Sequence, residues 1–360
     1  MFRHLAWLTG IVAAAASAQT VLTGNLNVAR SGCVATVLTD GRVLITGGYG
    51  AGGATALASA ELFDPSRGQF TIAGDMHSTR SGHTATLLAN GNVLIAGGGA
   101  PASAELFDGN NFRVIPAMNT PRYSHSATLL RDGTVLIAGG RSQSDGTTLA
   151  DAEVFDPKSG SFVRVGSMNA PRFDHGAALL PDGRVLIAGG LVTTELHGFA
   201  LTAEIYNPQT KSFALARSPA GIHLGEVLTL LDGNVLLLGI DDPPLINSIS
   251  ELFDPIRGFF EPALPEWTAF FGAKAIVLSN GRVLIAGGGS FLAMNNLEIF
   301  DPAEKTYHNA GALQVPRMKH AAVVLHDGRS LFIGGEDRAI VIQSSESIGA
   351  ANHSRHRAVH

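Results

Sequence analysis

Two short apolar runs, separated by a glycine turn, recur seven times along the chain. In residues 121–140, PRYSHSATLLRDGTVLIAGG, the apolar runs flank the dipeptide Asp132-Gly133. Apolar runs on both sides of an Asp-Gly or Asn-Gly pair predict a β-hairpin with a tight turn. The seven turn glycines are Gly41, Gly91, Gly133, Gly183, Gly233, Gly281 and Gly328.

A second phrase lies between successive hairpins and predicts two further strands in each repeat. It reads SAELFDPSRGQF at residues 59–70 and DAEVFDPKSGSF at residues 151–162. Alternation around the aromatic residue predicts a third strand, Asp-Pro predicts a turn, and the next aromatic residue opens a fourth strand. Each repeat is therefore expected to form a four-stranded antiparallel sheet, and no segment carries a helical pattern.

These units resemble kelch repeats, in which a glycine doublet closes the second strand and a Glu-x-aromatic-Asp-Pro phrase forms the third. The resemblance covers about residues 20–346 and implies an all-β, seven-bladed kelch-type β-propeller with four antiparallel strands in each blade. Where kelch repeats usually carry tryptophan in the fourth strand, this chain has other aromatic residues. They are Phe70, Phe112, Phe162, Phe213, Phe260 and Tyr307.

The last blade lacks a fourth strand at the C-terminal end of the repeats. Residues 339–344, AIVIQS, predict its third strand, and residues 21–30 match the fourth-strand phrase of other repeats. We therefore expect the mature N-terminal strand to complete the seventh blade, because pairing the chain ends leaves no open sheet edge.

The chain ends predict three segments: a signal peptide at residues 1–18, the propeller at residues 19–346 and a flexible tail at residues 347–360. Residues 1–18 combine Arg3, an apolar stretch and the sequence Ala16-Ser17-Ala18, which is typical of a cleaved secretory signal. An uncleaved N-terminal anchor is the alternative. We expect a secreted or periplasmic protein with no membrane span after cleavage.

Composition limits the partners. The 360 residues include 45% hydrophobic and 15% charged residues, with a formal net charge of −5 that argues against nucleic acid. Cys33 is the single cysteine of the sequence, so no intrachain disulfide can form. We expect a monomer that binds a protein or a carbohydrate.

An arginine begins the hairpin phrase in five of the seven repeats, and a histidine follows three residues later in four of them. If the arginines surround the channel mouth, they predict a ring that binds a carboxylate or another anion. The alternative is that both residue types bond to neighbouring carbonyl groups or to the glutamates of the third strands, which we favour for the histidines. The arginines are Arg30 and the ligand-binding candidates Arg80, Arg122, Arg172 and Arg317, and the histidines are His83, His125, His175 and His320.

Repeats five and six depart from this pattern. Repeat five has His223, Glu226 and Asp241 near the expected mouth, and repeat six has Trp267. Carboxylates accept hydrogen bonds from hydroxyl groups and tryptophan provides a stacking plane, so these four residues are candidates for binding a sugar or a sugar acid. Two blades that serve only packing are the alternative.

Among enzymes with kelch propellers, copper radical oxidases similar to galactose oxidase use a cysteine cross-linked to a tyrosine, a second tyrosine and two histidines. Cys33 lies in a similar position to that cysteine, but the next repeat reads Arg80-Ser81-Gly82-His83 and offers no tyrosine. Cys33 is therefore interpreted as a small replacement for the repeat histidine. No metal, cofactor or catalytic residue is predicted.

The sequence thus favours a binding or interaction module for a carbohydrate or protein over an enzyme. One alternative is a metal-independent sugar-processing enzyme resembling a sialic-acid mutarotase or epimerase, since interconverting anomers requires only an acid and a base. Those enzymes have six blades, whereas this chain has seven repeats. A structural component of the cell envelope is the second alternative.

Overall fold

The structure is a computed structural model of the 360-residue chain. It describes residues 18–193, 198–219, 226–240, 248–263, 272–289, 292–338 and 340–349. These residues form seven antiparallel four-stranded sheets, and no helix occurs among them. The predicted all-β, seven-bladed propeller is confirmed. No helix that could span a membrane is found in these ranges.

Each blade runs from an innermost first strand to an outermost fourth strand. The first four blades follow the chain without interruption. The strands of blade one are Val34–Val37, Val43–Thr46, Leu57–Asp64 and Gln69–Arg80; those of blade two are Thr84–Leu87, Val93–Ala96, Ala104–Phe107 and Phe112–Ile115. The strands of blade three are Ser126–Leu129, Val135–Ala138, Ala152–Asp156 and Ser161–Arg164; those of blade four are Gly176–Leu179, Val185–Ala188, Ala203–Asn207 and Ser212–Leu215.

Blades five to seven complete the circle. The strands of blade five are Val227–Thr229, Val235–Ile240, Ser248–Asp254 and Phe259–Pro262; those of blade six are Lys274–Val277, Val283–Ala286, Asn296–Asp301 and Thr306–Ala312. The strands of blade seven are Ala321–Val324, Ser330–Ile333 and Ser344–Ile348, followed by Val21–Asn25 from the N-terminal side. Two short ribbons accompany the blades, Arg122–Tyr123 with Arg141–Ser142 and Glu336–Asp337 with Ile340–Val341.

The seventh blade is closed by the N-terminal strand, as the sequence predicts. Val21–Asn25 pairs antiparallel with Ser344–Ile348. Ala18–Gln19 adds a parallel strand to the outer edge of blade six, where it pairs with Gly311 and Ala312. Each innermost strand contacts the innermost strands of both neighbouring blades, including blade seven against blade one, so the ring has no gap.

The predicted position of the third strand in blade seven was wrong. Residues 339–344 were expected to form it, but the strand is Ser344–Ile348, and Glu346 occupies the position of the third-strand glutamate. Ile340–Val341 instead forms the short ribbon with Glu336–Asp337. The propeller consequently extends to Ile348, two residues into the segment expected to be a tail. Residues 350–360 lie outside the described residues.

The hydrophobic core consists of layers between neighbouring blades. The second strands are fully buried, and each layer combines side chains of two adjacent sheets. Inside six blades an aromatic residue of the third strand packs on the fourth-strand aromatic residue, with ring centroids 4.7–4.9 Å apart, as in Phe63 and Phe70. These aromatic pairs stabilise the packing between the third and fourth strands of those blades.

The glycine doublets bring neighbouring blades together. Gly139 has φ 62°, and an added Cβ would lie 2.5 Å from the carbonyl oxygen of Arg172 in the next blade. The following residue, Gly140, donates its backbone N–H to that same oxygen at 2.8 Å. Glycine is required there because the backbone has positive φ and because the next blade approaches too closely for a side chain.

Candidate binding site in the central channel

The recurring arginines are enclosed inside the blades. All five have side chains with no exposed surface. In blade three, Arg122 donates from Nη1 to the carbonyl oxygens of Gly139 and Asp151, and from Nη2 to Glu153 Oε1 at 3.1 Å. The same arrangement recurs in four other blades, so the arginine joins the glycine doublet to the third strand. The pairs are Arg30–Glu61, Arg80–Glu105, Arg122–Glu153, Arg172–Glu204 and Arg317–Glu346.

The third-strand glutamates also bind the chain that enters each blade. Glu153 accepts backbone N–H bonds from Asn119 at 2.7 Å and from Thr120 at 3.2 Å. In blade two, burial opposes ionisation of Glu105, but hydrogen bonds from the His77 backbone and from Arg80 outweigh it and lower the pKa of this carboxyl. These carboxylates are therefore part of the internal framework of each blade.

The arginine ring does not face the channel, contrary to the expectation for Arg80, Arg122, Arg172 and Arg317. Each of these guanidinium groups is bonded inside its own blade and has no surface to offer a ligand. Their positive charges are matched by the third-strand glutamates. These arginines therefore create no positive potential at the channel mouth. The geometry agrees with the alternative interpretation, in which they bond carbonyl groups and the third-strand glutamates.

The four recurring histidines are buried on the channel wall. His83, His125 and His175 each share a hydrogen bond from Nε2 with a hydroxyl of the preceding blade. The hydroxyl partners are Thr46 at 2.8 Å, Thr84 at 3.1 Å and Ser126 at 2.9 Å. Burial, with a contribution from the neighbouring arginines, lowers the pKa of His83 and of His175 to about 3. These rings are therefore neutral at pH 7 and act as links between blades.

A cavity of about 780 Å³ lies on the propeller axis, lined by residues of all seven blades. A volume of this size falls in the range of sites for small molecules. Its described lining includes two tyrosines, Tyr49 and Tyr123, and serine side chains close to Tyr123. The charged residues of the lining are Asp174, Glu226, Lys274, Lys319 and Glu336.

An ion pair joins the walls of blades five and six inside this cavity. Lys274 Nζ donates to Glu226 Oε1 at 2.6 Å, and both side chains keep part of their surface exposed. The carboxylate of Glu226 raises the pKa of Lys274, so the ammonium remains charged at neutral pH. Glu226 was a predicted ligand residue, and the structure places it in the cavity; Lys274 was not predicted.

Lys274 stands where blades two and three place a hydroxyl. It opposes Ala286 in the ladder, as Thr84 opposes Ala96 and Ser126 opposes Ala138. Thr84 and Ser126 bond Nε2 of the histidine of the next blade, whereas Nε2 of His320, the histidine after Lys274, has no hydrogen-bond partner within the described ranges. Aligning the repeats by strand register would have shown that Lys274 differs from the residues of the other blades at this position.

The opposite wall belongs to blades three and four. Tyr123 and Asp174 line the cavity there, and the surrounding protein atoms raise the pKa of the Asp174 carboxyl by displacing water. Outside the lining, the guanidinium carbon of Arg141 lies 5.9 Å from the ring centre of Tyr123 and 5.1 Å from that of Phe173. Tyr123 and Asp174 were not predicted, because they lie between the blade strands at positions that vary between the repeats.

The remaining predicted site residues fall in segments without a description. His223, Asp241 and Trp267 lie outside the described residues, so their relation to the cavity stays a prediction. Cys33 occupies the histidine position of blade one, is buried and lines the cavity. Burial raises the pKa of its thiol to about 11, which makes it an inert packing residue at neutral pH.

Comparisons with known proteins find similarity in two of the repeats and in the fold. The family model of the kelch motif matches residues 30–77 and 121–169. No curated protein matches the chain in sequence. A fungal alcohol oxidase of the AA5 family, solved in complex with copper, is similar with a TM-score of 0.69 and 17% identity; the match covers 92% of this chain and 76% of the oxidase. YjhT is similar with a TM-score of 0.57 and 17% identity, over 73% of this chain and 93% of YjhT.

At 17% identity these two structures share the fold with this chain, and the copper of the oxidase must be tested against the residues present. Within the described ranges no three His, Cys, Asp or Glu side chains form a group that could hold a metal ion. Tyr307 is packed against Phe300 in blade six, and the position after Cys33 in the ring carries His83. The described residues therefore do not fit a copper site of that kind.

Proposed function

The chain is a seven-bladed propeller of kelch repeats, and we propose that it is a binding module that takes a carbohydrate in its central channel. Kelch propellers commonly mediate protein binding, and the fold also occurs in enzymes. The observation that carries the proposal is the cavity of about 780 Å³ on the axis. A concave site of this size suits a small ligand better than the broad face of a folded partner.

The lining of the cavity supports a carbohydrate. Tyr123 offers an aromatic face, while Glu226 and Asp174 offer carboxylates that accept hydrogen bonds from hydroxyl groups. The recurring arginines are enclosed, so they do not attract an anionic ligand into the channel. The argument for a sugar acid that depended on an arginine ring therefore no longer holds. Secretion or export to the periplasm, proposed from the N-terminal sequence, is consistent with an extracytoplasmic carbohydrate ligand.

The test is a glycan array probed with the chain that begins at Gln19, followed by calorimetric titration of each hit. Replacing Tyr123 by Ala should weaken binding about twofold to tenfold, because stacking on an aromatic ring contributes about 0.5–1.5 kcal/mol. Leu215→Ala is the control, since Leu215 is exposed on the outermost strand of blade four. Binding that survives Tyr123→Ala but is lost in Leu215→Ala would place the ligand elsewhere.

A second candidate function is a metal-independent sugar-processing enzyme. The Glu226–Lys274 pair favours it, because one cavity holds both a carboxylate and an ammonium group, and anomer interconversion needs a proton acceptor and a proton donor. An anomer-exchange assay by NMR on each bound sugar separates the two functions. Exchange faster than the uncatalysed rate, abolished in Glu226→Gln with binding retained, would favour the enzyme.

A further inference from the structure

We propose that Glu226 and Lys274 form a subsite that recognises a neutral vicinal diol of the bound carbohydrate. The inference rests on the proposed function and adds the chemical class that the channel selects. Three observations support it. They are the ion pair, the equivalent positions of its two residues in adjacent blades, and the hydrogen bond to a hydroxyl that His320 lacks.

The two residues occupy equivalent positions in adjacent blades. The backbone of Glu226 accepts a hydrogen bond from Leu238 at 2.9 Å, which extends the ladder of blade five, and Lys274 opposes Ala286 in blade six. The same position in the other blades carries only small or uncharged side chains, namely Val34, Thr84, Ser126, Gly176 and Ala321. Two opposite charges therefore appear side by side at one level of the channel.

Placing a lysine here removes an interaction that holds the ring together. Nε2 of the histidine that follows Thr84 or Ser126 in the ring bonds that hydroxyl, but Nε2 of His320, after Lys274, is buried without a partner within the described part of the chain. A buried polar atom without a partner destabilises a fold. A residue that departs from the repeat pattern, lowers the stability of the fold and faces a cavity is expected to have a function.

The pair suits a neutral diol. Its charges cancel, while a carboxylate accepts hydrogen bonds and an ammonium group has N–H donors besides the one directed at Glu226 Oε1. Adjacent hydroxyl groups can donate to the first group and accept from the second. The described charged lining contains three carboxylates, of Asp174, Glu226 and Glu336, and two ammonium groups, of Lys274 and Lys319, so an anionic sugar gains no net attraction.

The experiment compares the wild-type chain with the double variant Glu226→Thr/Lys274→Thr, which gives both positions the side chain of Thr84. The probes are the methyl glycosides of glucose, galactose and mannose and the methyl glycosides of the corresponding uronic acids. The wild type should prefer neutral glycosides, and the double variant should bind them at least about tenfold more weakly, as expected when hydrogen bonds to charged groups are lost. Its urea midpoint should equal or exceed that of the wild type, because the hydroxyl introduced at position 274 can bond His320.

The matched control is Glu261→Thr/Lys305→Thr. This pair also joins blades five and six, with Lys305 Nζ and Glu261 Oε2 2.6 Å apart, but neither residue lines the cavity. It should change glycoside binding by less than about threefold, in the range of a surface ion pair.

The outcomes separate the two proposals. If the wild type binds neutral glycosides and the double variant binds them equally well, the diol subsite is wrong and the channel module survives. A preference for uronides, or a double variant less stable than the wild type, also overturns the subsite. If the wild type binds no glycan at all, the proposed carbohydrate function fails first.

Discussion

A buried arginine is tolerated at residues 30, 80, 122, 172 and 317 because Nη1 donates to two backbone carbonyl oxygens and Nη2 donates to the third-strand glutamate. Arg122 reaches two backbone carbonyl oxygens and the carboxylates of Asp151 and Glu153. The geometry explains why these residues recur: each one ties the strand entering a blade to the glycine doublet and to the third strand. Their role is stability of the repeat.

Replacing Arg122 by Ala should lower the free energy of unfolding by about 3–5 kcal/mol, because it leaves the Glu153 carboxylate buried without its partner. Because Arg122 was a ligand-binding candidate in the sequence, this expectation replaces an effect on ligand binding by an effect on stability. Urea denaturation monitored by fluorescence measures the change. Arg184→Ala, which removes a partly exposed ion pair with Asp182, is the control and should change stability by less than about 1 kcal/mol.

At the residue scale, the sequence shows which positions recur or depart from the repeat but not which way their side chains face. Glu226, a candidate because it interrupts the repeat pattern, lines the cavity. The arginines were assigned to a ligand because a one-dimensional pattern does not show that the glutamate of the third strand lies beside them. Lys274 was missed because its neighbour residues read as an ordinary apolar strand, and only the register against Ala286 reveals its exceptional position.

At the scale of the elements, hairpins were the most predictable feature and the seventh blade the least. Asp-Gly and Asn-Gly determine a turn locally, and all seven turn glycines have φ between 81° and 91°. The third strand of blade seven was misplaced because residues 339–344 imitate the apolar spacing of a strand. The better signal was Ser344-Ser345-Glu346, which matches Ser59-Ala60-Glu61, since the glutamate must meet Arg317.

The closing strand should decide whether blade seven is stable. A chain that begins at Leu26 lacks Val21–Asn25 and the hydrogen bond of 2.8 Å from Thr20 to Glu346, so the outer edge of Ser344–Ile348 loses its partner. We expect a large fall in the thermal midpoint relative to a chain that begins at Gln19, measured by calorimetry. Faster proteolysis near residue 348 should accompany it. Equal midpoints for the two chains would show that the N-terminal strand does not seal the ring.

At the scale of the whole molecule, seven inter-blade core layers and a ring of buried histidines make stability a property of the closed circle. Burial holds the pKa of His125 and His320 well below the ordinary value, as it does for His83 and His175. The unfolded chain therefore binds more protons than the folded chain from about pH 6.5 down to about pH 3.

Stability should consequently be fully present above about pH 6.5 and fall as the pH decreases towards 3, by up to about 1.4 kcal/mol per pH unit for each buried histidine. Urea midpoints at a series of pH values measure this fall. His175→Gln should reduce the slope, and replacing the exposed turn residue His326 by Gln should leave it unchanged. A stability that is flat between pH 7 and pH 5 would contradict the account of the histidine ring.

The most direct test of the account is a crystal structure of the protein grown with a neutral methyl hexoside at saturating concentration. The account predicts the sugar ring on the propeller axis, with adjacent hydroxyl groups within hydrogen-bond distance of Glu226 and Lys274 and the recurring arginines still enclosed. A sugar bound on the outer surface of the blades, or an empty channel in a crystal that contains the sugar elsewhere, would contradict it.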